Sequence, residues 1–252
     1  MGYLGLKSPF AVAHRGGGAE NVENSPTAFQ HALNLGYQVL ETDVHASADG
    51  VLVVCHDPVL TRTSESDHEI AQTDWATLSQ VRLNNVYKLM RLEDLADMLG
   101  AETRLNIDPK SDASVIPLIR FLELRPELHE RVCLGSFETA RLQVLRKALP
   151  RVATSLGRSE IRTLVLSARS RIKWPRRSKA IAAQVPEVAH DVQIVTQQFV
   201  DYSHDIGLDV HVWTVNSEQD MHRLYDMGVD ALITDRPTTL REVLEARGQW
   251  RT

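Results

Sequence analysis

Apolar runs alternate with amphipathic segments along the whole chain. Runs typical of buried strands occur at eight places: 10–14, 39–45, 104–108, 132–136, 152–155, 180–184, 210–215 and 231–234. Segments with helical periodicity lie between them, as at 26–35, where Phe29, Ala32 and Leu33 share one face. Regular alternation of strands and helices predicts a parallel α/β sheet.

The joints between helices and strands indicate how this sheet is arranged. Gly36, Gly207 and Gly228 each end a helical segment two residues before an apolar strand, and glycine accepts the left-handed conformation at such a position. Eight βα units in 252 residues favour a (β/α)8 TIM barrel that forms a single domain, 1–252. An open, doubly wound sheet is the alternative. The polar segment 58–91 interrupts the alternation and is predicted to be a small insertion after the second strand.

Composition and charge narrow the functional class. The chain is 43% hydrophobic and 24% charged, with a net charge of −5, which excludes a collagen-like or disordered protein and argues against a nucleic-acid binder that depends on overall charge. Cys55 and Cys133 lie in apolar runs, so we expect free, buried thiols. No apolar run reaches 18 residues, and no apolar segment typical of a secretory signal precedes His14. We therefore expect a cytoplasmic protein without a transmembrane segment.

Polar residues lie where the predicted strands end, and all strands of a parallel barrel end at one rim. His14 and Arg15 follow the first strand; they offer a proton-transfer group and a two-pronged donor for phosphate. Glu41 and Asp43 are two residues apart in the second strand, which places both carboxylates on one face. A divalent cation would relieve the repulsion between these acids. Pairing with arginine or lysine side chains is the alternative.

A hairpin is predicted to return the chain to these acids. Asp49-Gly50 is a favoured two-residue turn between apolar stretches. In the register with residues 48 and 51 paired, Asp43 lies opposite His56, with about 4.5–5.5 Å between Cβ atoms. This register predicts that His56 joins the carboxylate site.

The third strand adds one more acid and one more base. Asp108 can supply a third carboxylate to a cation, and Lys110 can contact a phosphate oxygen. Two histidines, a cation site and two basic residues together indicate phosphodiester cleavage. Two other readings exist. Lys110 could form a Schiff base, as in aldolase barrels, which leaves the acids and histidines unexplained. A phosphodiester-binding barrel without catalysis would be expected to lack a histidine or a carboxylate of this set.

A series of motifs spans nearly the whole chain: His14-Arg15-Gly16, Glu23-Asn24-Ser25, Glu41-x-Asp43, His56-Asp57, Asp108-x-Lys110, Ser136-Phe137, Val212-Trp213-Thr214-Val215-Asn216 and Thr234-Asp235-Arg236-Pro237. In order and spacing they resemble the glycerophosphodiester phosphodiesterases, a family of phospholipase C-like TIM barrels. The resemblance implies metal-dependent hydrolysis of a small phosphodiester to sn-glycerol 3-phosphate and an alcohol.

The resemblance also implies a role for each candidate residue. It makes His14 and His56 the general acid and base, Arg15 and Lys110 the phosphate-binding residues, Glu41, Asp43 and Asp108 the ligands of Mg²⁺ or Ca²⁺, and Trp213 an aromatic wall of the alcohol pocket. Core packing is the alternative role for Trp213. Asp108 stands where many members carry glutamate, and its shorter reach puts the choice of metal in doubt.

Two further expectations concern the substrate and the surface. Lysophospholipase D and sphingomyelinase D enzymes resemble this barrel and its residues, so cleavage of lysophospholipids is the alternative reaction. Venom-type relatives are secreted and disulfide-bonded, which this chain is not expected to be. The segment 169–179 carries six basic residues and Trp174; it is either a solvated linker or a contact for an anionic membrane surface.

Overall fold

The computed structural model describes residues 3–175 and 178–251, and the described chain contains fourteen strands. In chain order these strands are β1 (Phe10–Ala13), β2 (Val39–Ala46), β3 (Leu52–Val54), β4 (Arg82–Leu83), β5 (Tyr87–Lys88), β6 (Met90–Arg91), β7 (Arg104–Pro109), β8 (Val132–Leu134), β9 (Ala153–Thr154), β10 (Ala182–Pro186), β11 (Val188–Ala189), β12 (Val192–Gln193), β13 (Asp209–Trp213) and β14 (Ala231–Thr234). The α-helices of the same residues are α1 (Pro26–Asn34), α2 (Trp75–Leu78), α3 (Leu92–Met98), α4 (Val115–Leu124), α5 (Thr139–Ala148), α6 (Arg158–Ser170), α7 (Gln197–Asp205), α8 (Glu218–Asp226) and α9 (Pro237–Ala246).

Eight parallel strands form the barrel, in the order β10-β13-β14-β1-β2-β7-β8-β9. A parallel bridge between Ser155 and Ala182 joins the two ends of this series, and the Leu156 N–H donates to the Ala182 carbonyl at 2.9 Å. The eight predicted strands and the (β/α)8 barrel are thus confirmed, and the open-sheet alternative is wrong.

The first helix shows how local sequence sets the elements. The Ser25 hydroxyl accepts a hydrogen bond from the Ala28 N–H, and Pro26 occupies the first helical turn. Phe29 is fully buried against the barrel. Gly36 follows the helix with φ 88°, a left-handed conformation that most side chains disfavour.

The predicted insertion leaves the barrel at β3 and returns at α3. It contains α2 and the antiparallel pair β4–β5. A small apolar cluster of its own includes Leu60, Ile70 and Leu78, each fully buried. The strand β3 pairs with β2 in antiparallel orientation, so the insertion is anchored at the end of β2 that carries Asp43.

The predicted register of the β2–β3 hairpin is wrong by one residue. The observed pairing joins Val44 to Val54, so Cys55, and not His56, lies across from Asp43; the Cys55 N–H donates to the Asp43 carbonyl at 3.0 Å. The cause is Ser47, whose N–H donates to the Val51 carbonyl and whose hydroxyl accepts the Val51 N–H at 2.9 Å. These bonds close a three-residue loop, and a one-residue shift turns every side chain to the opposite face.

Two expectations about buried residues have different outcomes. Cys55 and Cys133 are buried thiols, as predicted. Trp174 is only 5% exposed and packs in the main core, so the idea that it meets a membrane surface is wrong. Arg176 and Arg177 of the same basic segment lie outside the described residues. No helix in the described part of the chain has the length and apolar character needed to cross a bilayer.

Candidate active site

The candidate residues lie at the carboxyl end of the barrel, on neighbouring strands. Parallel pairing places Asp43 of β2 beside Asp108 of β7, and Lys110 follows directly after β7. His14 follows β1, the neighbour of β2 on its other side. The strands therefore bring residues distant in sequence to one rim, as a TIM barrel requires.

His14 is held by an aspartate from the last barrel strand. Its Nδ1–H donates to Asp235 Oδ1 at 2.6 Å, and the Asn216 amide donates to the other Asp235 oxygen at 2.9 Å. The opposite nitrogen, Nε2, lies 3.9 Å from Glu41 Oε2. Burial favours the neutral ring, but the Glu41 and Asp235 carboxylates raise the pKa of His14 above its usual value.

His56 has a similar arrangement at the end of β3. Its Nδ1–H donates to Asp57 Oδ1 at 2.8 Å, and the His45 ring donates from Nε2 to the His56 carbonyl at 3.0 Å. The ring is partly open to solvent, with 35% of its side chain exposed. In both His14 and His56 the aspartate fixes the proton on Nδ1 and leaves Nε2 for proton transfer.

Three carboxyl groups line the rim between these histidines: Glu41 and Asp43 are buried, and Asp108 is partly buried. Burial and the neighbouring Asp43 raise the pKa of Glu41 to about 7. Burial acts in the same direction on Asp43, but Lys110 and Arg15 outweigh it and lower the pKa of that carboxyl. Burial raises the pKa of Asp108. These carboxyl groups therefore ionise readily only where nearby positive charges offset the effect of burial.

The two predicted phosphate-binding residues lie against these acids. Lys110 Nζ is 2.8 Å from Asp43 Oδ1 and 2.8 Å from Asp108 Oδ2. Arg15 Nε is 3.0 Å from Asp43 Oδ2, and the Arg15 N–H donates to Glu41 Oε2 at 3.1 Å. The two basic side chains thus pair directly with the carboxyl groups of the rim.

The three carboxyl groups are candidate ligands for a metal ion. Within residues 3–175 and 178–251, no three His, Cys, Asp or Glu side chains are arranged to hold one. The Lys110 ammonium contacts both Asp43 and Asp108. The donor chemistry nevertheless fits: Glu41, Asp43 and Asp108 offer carboxylate oxygens, the ligands that Mg²⁺ and Ca²⁺ prefer. Glu41, with its pKa near neutrality, would ionise more readily beside a cation.

Aromatic side chains cross the barrel mouth beside the charged rim. Trp213, at the end of β13, meets Phe137 edge-to-face, with ring centroids 5.5 Å apart. Phe137 follows β8, which is separated from β13 by the two strands β9 and β10, and it is 44% exposed. The Arg158 guanidinium lies 5.2 Å from the Phe137 centroid. Trp213 is half-buried against a core cluster, so it both packs and faces the mouth.

A polar layer lies inside the barrel. Gln184 donates from Nε2 to Asn106 Oδ1 at 3.2 Å and approaches His211 Nδ1 at 3.3 Å. His211 is fully buried, and burial lowers its pKa to about 4. His211 is therefore a neutral side chain in the interior of the barrel.

The sequence patterns assign no role to Asp235, Glu23 or Arg62. Asp235 could have been found, because it follows β14 as His14 follows β1, and Ala13 pairs with Thr234 in these adjacent strands. Arg62 lies in a polar segment without periodicity, so no pattern indicated its contacts.

Comparisons with known proteins agree with this arrangement. A family model described as the glycerophosphoryl diester phosphodiesterase family matches residues 14–239. A Mycobacterium tuberculosis protein named "Probable glycerophosphodiester phosphodiesterase 2" is 38% identical over 246 residues, which cover 95% of this chain and 92% of the relative. Human lysophospholipase D GDPD1 is 26% identical over 269 residues, 92% of this chain and 85% of its own.

Solved structures share the barrel. An Oleispira antarctica phosphodiesterase, in complex with the product sn-glycerol-3-phosphate, has a TM-score of 0.79 at 21% identity, over 94% of this chain and 97% of its own. A glycerophosphodiester phosphodiesterase from Agrobacterium tumefaciens has a TM-score of 0.74 at 22% identity, over 94% and 99% of the two chains. At these identities the likeness concerns the fold.

Proposed function

The chain belongs to the glycerophosphoryl diester phosphodiesterase family, and we propose that it hydrolyses glycerophosphodiesters to sn-glycerol 3-phosphate and an alcohol. One observation carries the proposal: two histidines, each held at Nδ1 by an aspartate, lie at a rim that also carries three carboxylates and two basic side chains. The sn-glycerol-3-phosphate in the Oleispira antarctica structure supports this choice of product.

Arg15 and Lys110 are proposed to bind the phosphodiester. Both are positively charged hydrogen-bond donors at the rim. They contact the carboxylates of the site, so a phosphate group that binds there would lie beside them. Glu41, Asp43 and Asp108 would hold a divalent cation, Mg²⁺ or Ca²⁺, which supplies positive charge against the phosphate oxygens. The arginine fork and the lysine ammonium would then stabilise the charge that develops on the equatorial oxygens.

His14 and His56 are proposed to move the protons. One imidazole accepts the proton of the attacking oxygen through Nε2, and the other donates a proton to the leaving alcohol. Asp235 and Asp57 support both roles because they keep Nδ1 protonated and fix the direction of Nε2. The attacking oxygen belongs to water or to the neighbouring hydroxyl of the substrate.

The alcohol portion is proposed to lie against Trp213 and Phe137. These rings form an apolar surface across the mouth, and Phe137 is accessible. Lysophospholipid cleavage is the competing reaction, since relatives at 26% identity are named lysophospholipase D. The substrate therefore has to be identified by its product.

The decisive experiment identifies products by ³¹P NMR. Purified protein is incubated with glycerophosphocholine, glycerophosphoethanolamine, glycerophosphoinositol or lysophosphatidylcholine, in Mg²⁺, Ca²⁺ or chelator. We expect sn-glycerol 3-phosphate from the glycerophosphodiesters, loss of turnover in chelator and recovery on adding metal. If lysophosphatidylcholine yields lysophosphatidic acid while the glycerophosphodiesters stay unchanged, the proposed reaction is wrong and the protein is a lysophospholipase D. Full activity in chelator would show that the reaction needs no metal ion, and the metal would be dropped from the proposal.

A further inference from the structure

Arg62, in the insertion, links the two acids that support the proposed site. We infer that Arg62 is a positioning residue, which fixes His56 through Asp57 and Arg15 through Glu23. The inference rests on the proposed function for its kinetic consequences, whereas the contacts themselves are independent of it.

The contacts of Arg62 use the whole guanidinium fork. Nε lies 2.5 Å from Asp57 Oδ2, while the two terminal nitrogens lie 2.9 and 2.6 Å from the two oxygens of Glu23. Such bidentate pairing fixes the direction of both partners as well as their distance. The hydrogen bonds that Arg62 donates, first those to Glu23 and then that to Asp57, raise its pKa above the usual value.

Each of the two acids also holds a residue of the proposed site. Asp57 accepts the His56 Nδ1–H through its other oxygen at 2.8 Å. Glu23 accepts from a terminal nitrogen of Arg15 at 3.0 Å. The result is one continuous chain of hydrogen bonds: His56, Asp57, Arg62, Glu23, Arg15. Arg62 is its centre, and it joins the end of β3 to the loop before α1.

Because the Arg62 side chain is exposed, its role in positioning site residues can be separated from a role in the stability of the fold. Its side chain is 49% exposed, and ion pairs at such exposed sites contribute little to stability. The backbone beside it is fixed independently, because Leu60 is fully buried in the insertion's own cluster. A loss of Arg62 should therefore reduce turnover while the fold persists. A lysine at position 62 should restore turnover only in part, since an ammonium group lacks the guanidinium fork that contacts both acids.

Arg223 offers a matched control. It also bridges two acids, Glu187 and Asp220, at 2.8 and 2.7 Å, with 41% of its side chain exposed. Arg62→Gln should lower kcat about 10- to 100-fold, the usual effect of removing an outer-shell partner, and Arg62→Lys by less. Arg223→Gln should leave kcat unchanged. Thermal unfolding of all three variants should match the wild type.

A double-mutant cycle and NMR test how Arg62 acts. If it acts through Asp57, the loss in Asp57→Asn/Arg62→Gln is smaller than the product of the two single losses. In long-range ¹H–¹⁵N spectra, Arg62→Gln should weaken the Nδ1–H signature of His56, a readout that needs no activity.

The outcomes separate this inference from the proposed function. Unchanged kcat and an unchanged His56 spectrum in Arg62→Gln would overturn the inference, as would fully multiplicative losses with a raised KM, which indicate direct substrate binding. A wild-type protein that cleaves no glycerophosphodiester refutes the proposed function, and the His56 spectrum then decides the positioning role by itself.

Discussion

The buried His211 predicts a specific dependence of stability on pH. Its ring lies in the polar layer of the barrel, where the Gln184 amide approaches Nδ1, and burial lowers its pKa to about 4 from an ordinary value of 6.5. The native state therefore resists protonation of this ring, while the unfolded chain accepts the proton readily. Replacing His211 by glutamine removes this difference.

The sign and size follow from linkage. A histidine with a lowered native pKa contributes stability above pH 6.5, and this contribution is lost as the pH falls towards 4. The two pKa values differ by about 2.5 pH units, worth about 3 kcal/mol in total at 1.36 kcal/mol per unit. Between pH 7 and pH 5, the wild type should lose about 2 kcal/mol through His211.

The assay is urea unfolding of the wild type and His211→Gln at pH 7 and pH 5. Other titrating groups are common to both proteins, so the quantity to compare is the change in unfolding free energy between the two pH values. We expect the wild type to lose about 2 kcal/mol more than the variant. Equal losses in the two proteins would refute the reasoning, whatever the absolute stability of the variant.

Three further predictions concern the site and the core. His14→Ala and His56→Ala should each lower kcat about 10²- to 10⁴-fold in a ³¹P NMR assay; full turnover in either would contradict the paired acid–base roles. Asp235→Asn should reduce kcat with little change in KM, because an uncharged amide replaces the carboxylate that accepts the His14 Nδ1–H at 2.6 Å; a change confined to KM would argue against it. Phe29→Ala should cost about 3–5 kcal/mol in urea unfolding, since the side chain is fully buried; a cost below about 1 kcal/mol would refute tight packing there.

The barrel was predictable because burial leaves a direct trace in the sequence. Strands such as Phe10–Ala13 are buried at every position, so they appear in the sequence as unbroken apolar runs. Helix ends were predictable for a similar reason: Ser25 and Gly36 act through their own backbone neighbours. In both cases the determinant lies within a few residues of the element.

The errors and omissions involve contacts that short-range patterns do not encode. Asp49-Gly50 indicates a tight turn, but the hydrogen bonds between Ser47 and Val51 close a loop that is one residue longer, and this shifts the register. The ion pairs of Lys110 with Asp43 and Asp108 place a base between acids predicted to bind a metal. Arg62 reaches Glu23 across 39 positions of sequence, which only the folded barrel brings together.

The central claim is cleavage of a phosphodiester at phosphorus, and labelled water tests it most directly. Glycerophosphocholine is hydrolysed by the wild-type protein with Mg²⁺ in H₂¹⁸O, and the product is followed by ³¹P NMR. We predict sn-glycerol 3-phosphate whose phosphorus resonance carries the isotope shift of one ¹⁸O, whether water attacks first or opens a cyclic phosphate. Unlabelled sn-glycerol 3-phosphate with ¹⁸O in the choline, or the absence of sn-glycerol 3-phosphate, would contradict the account.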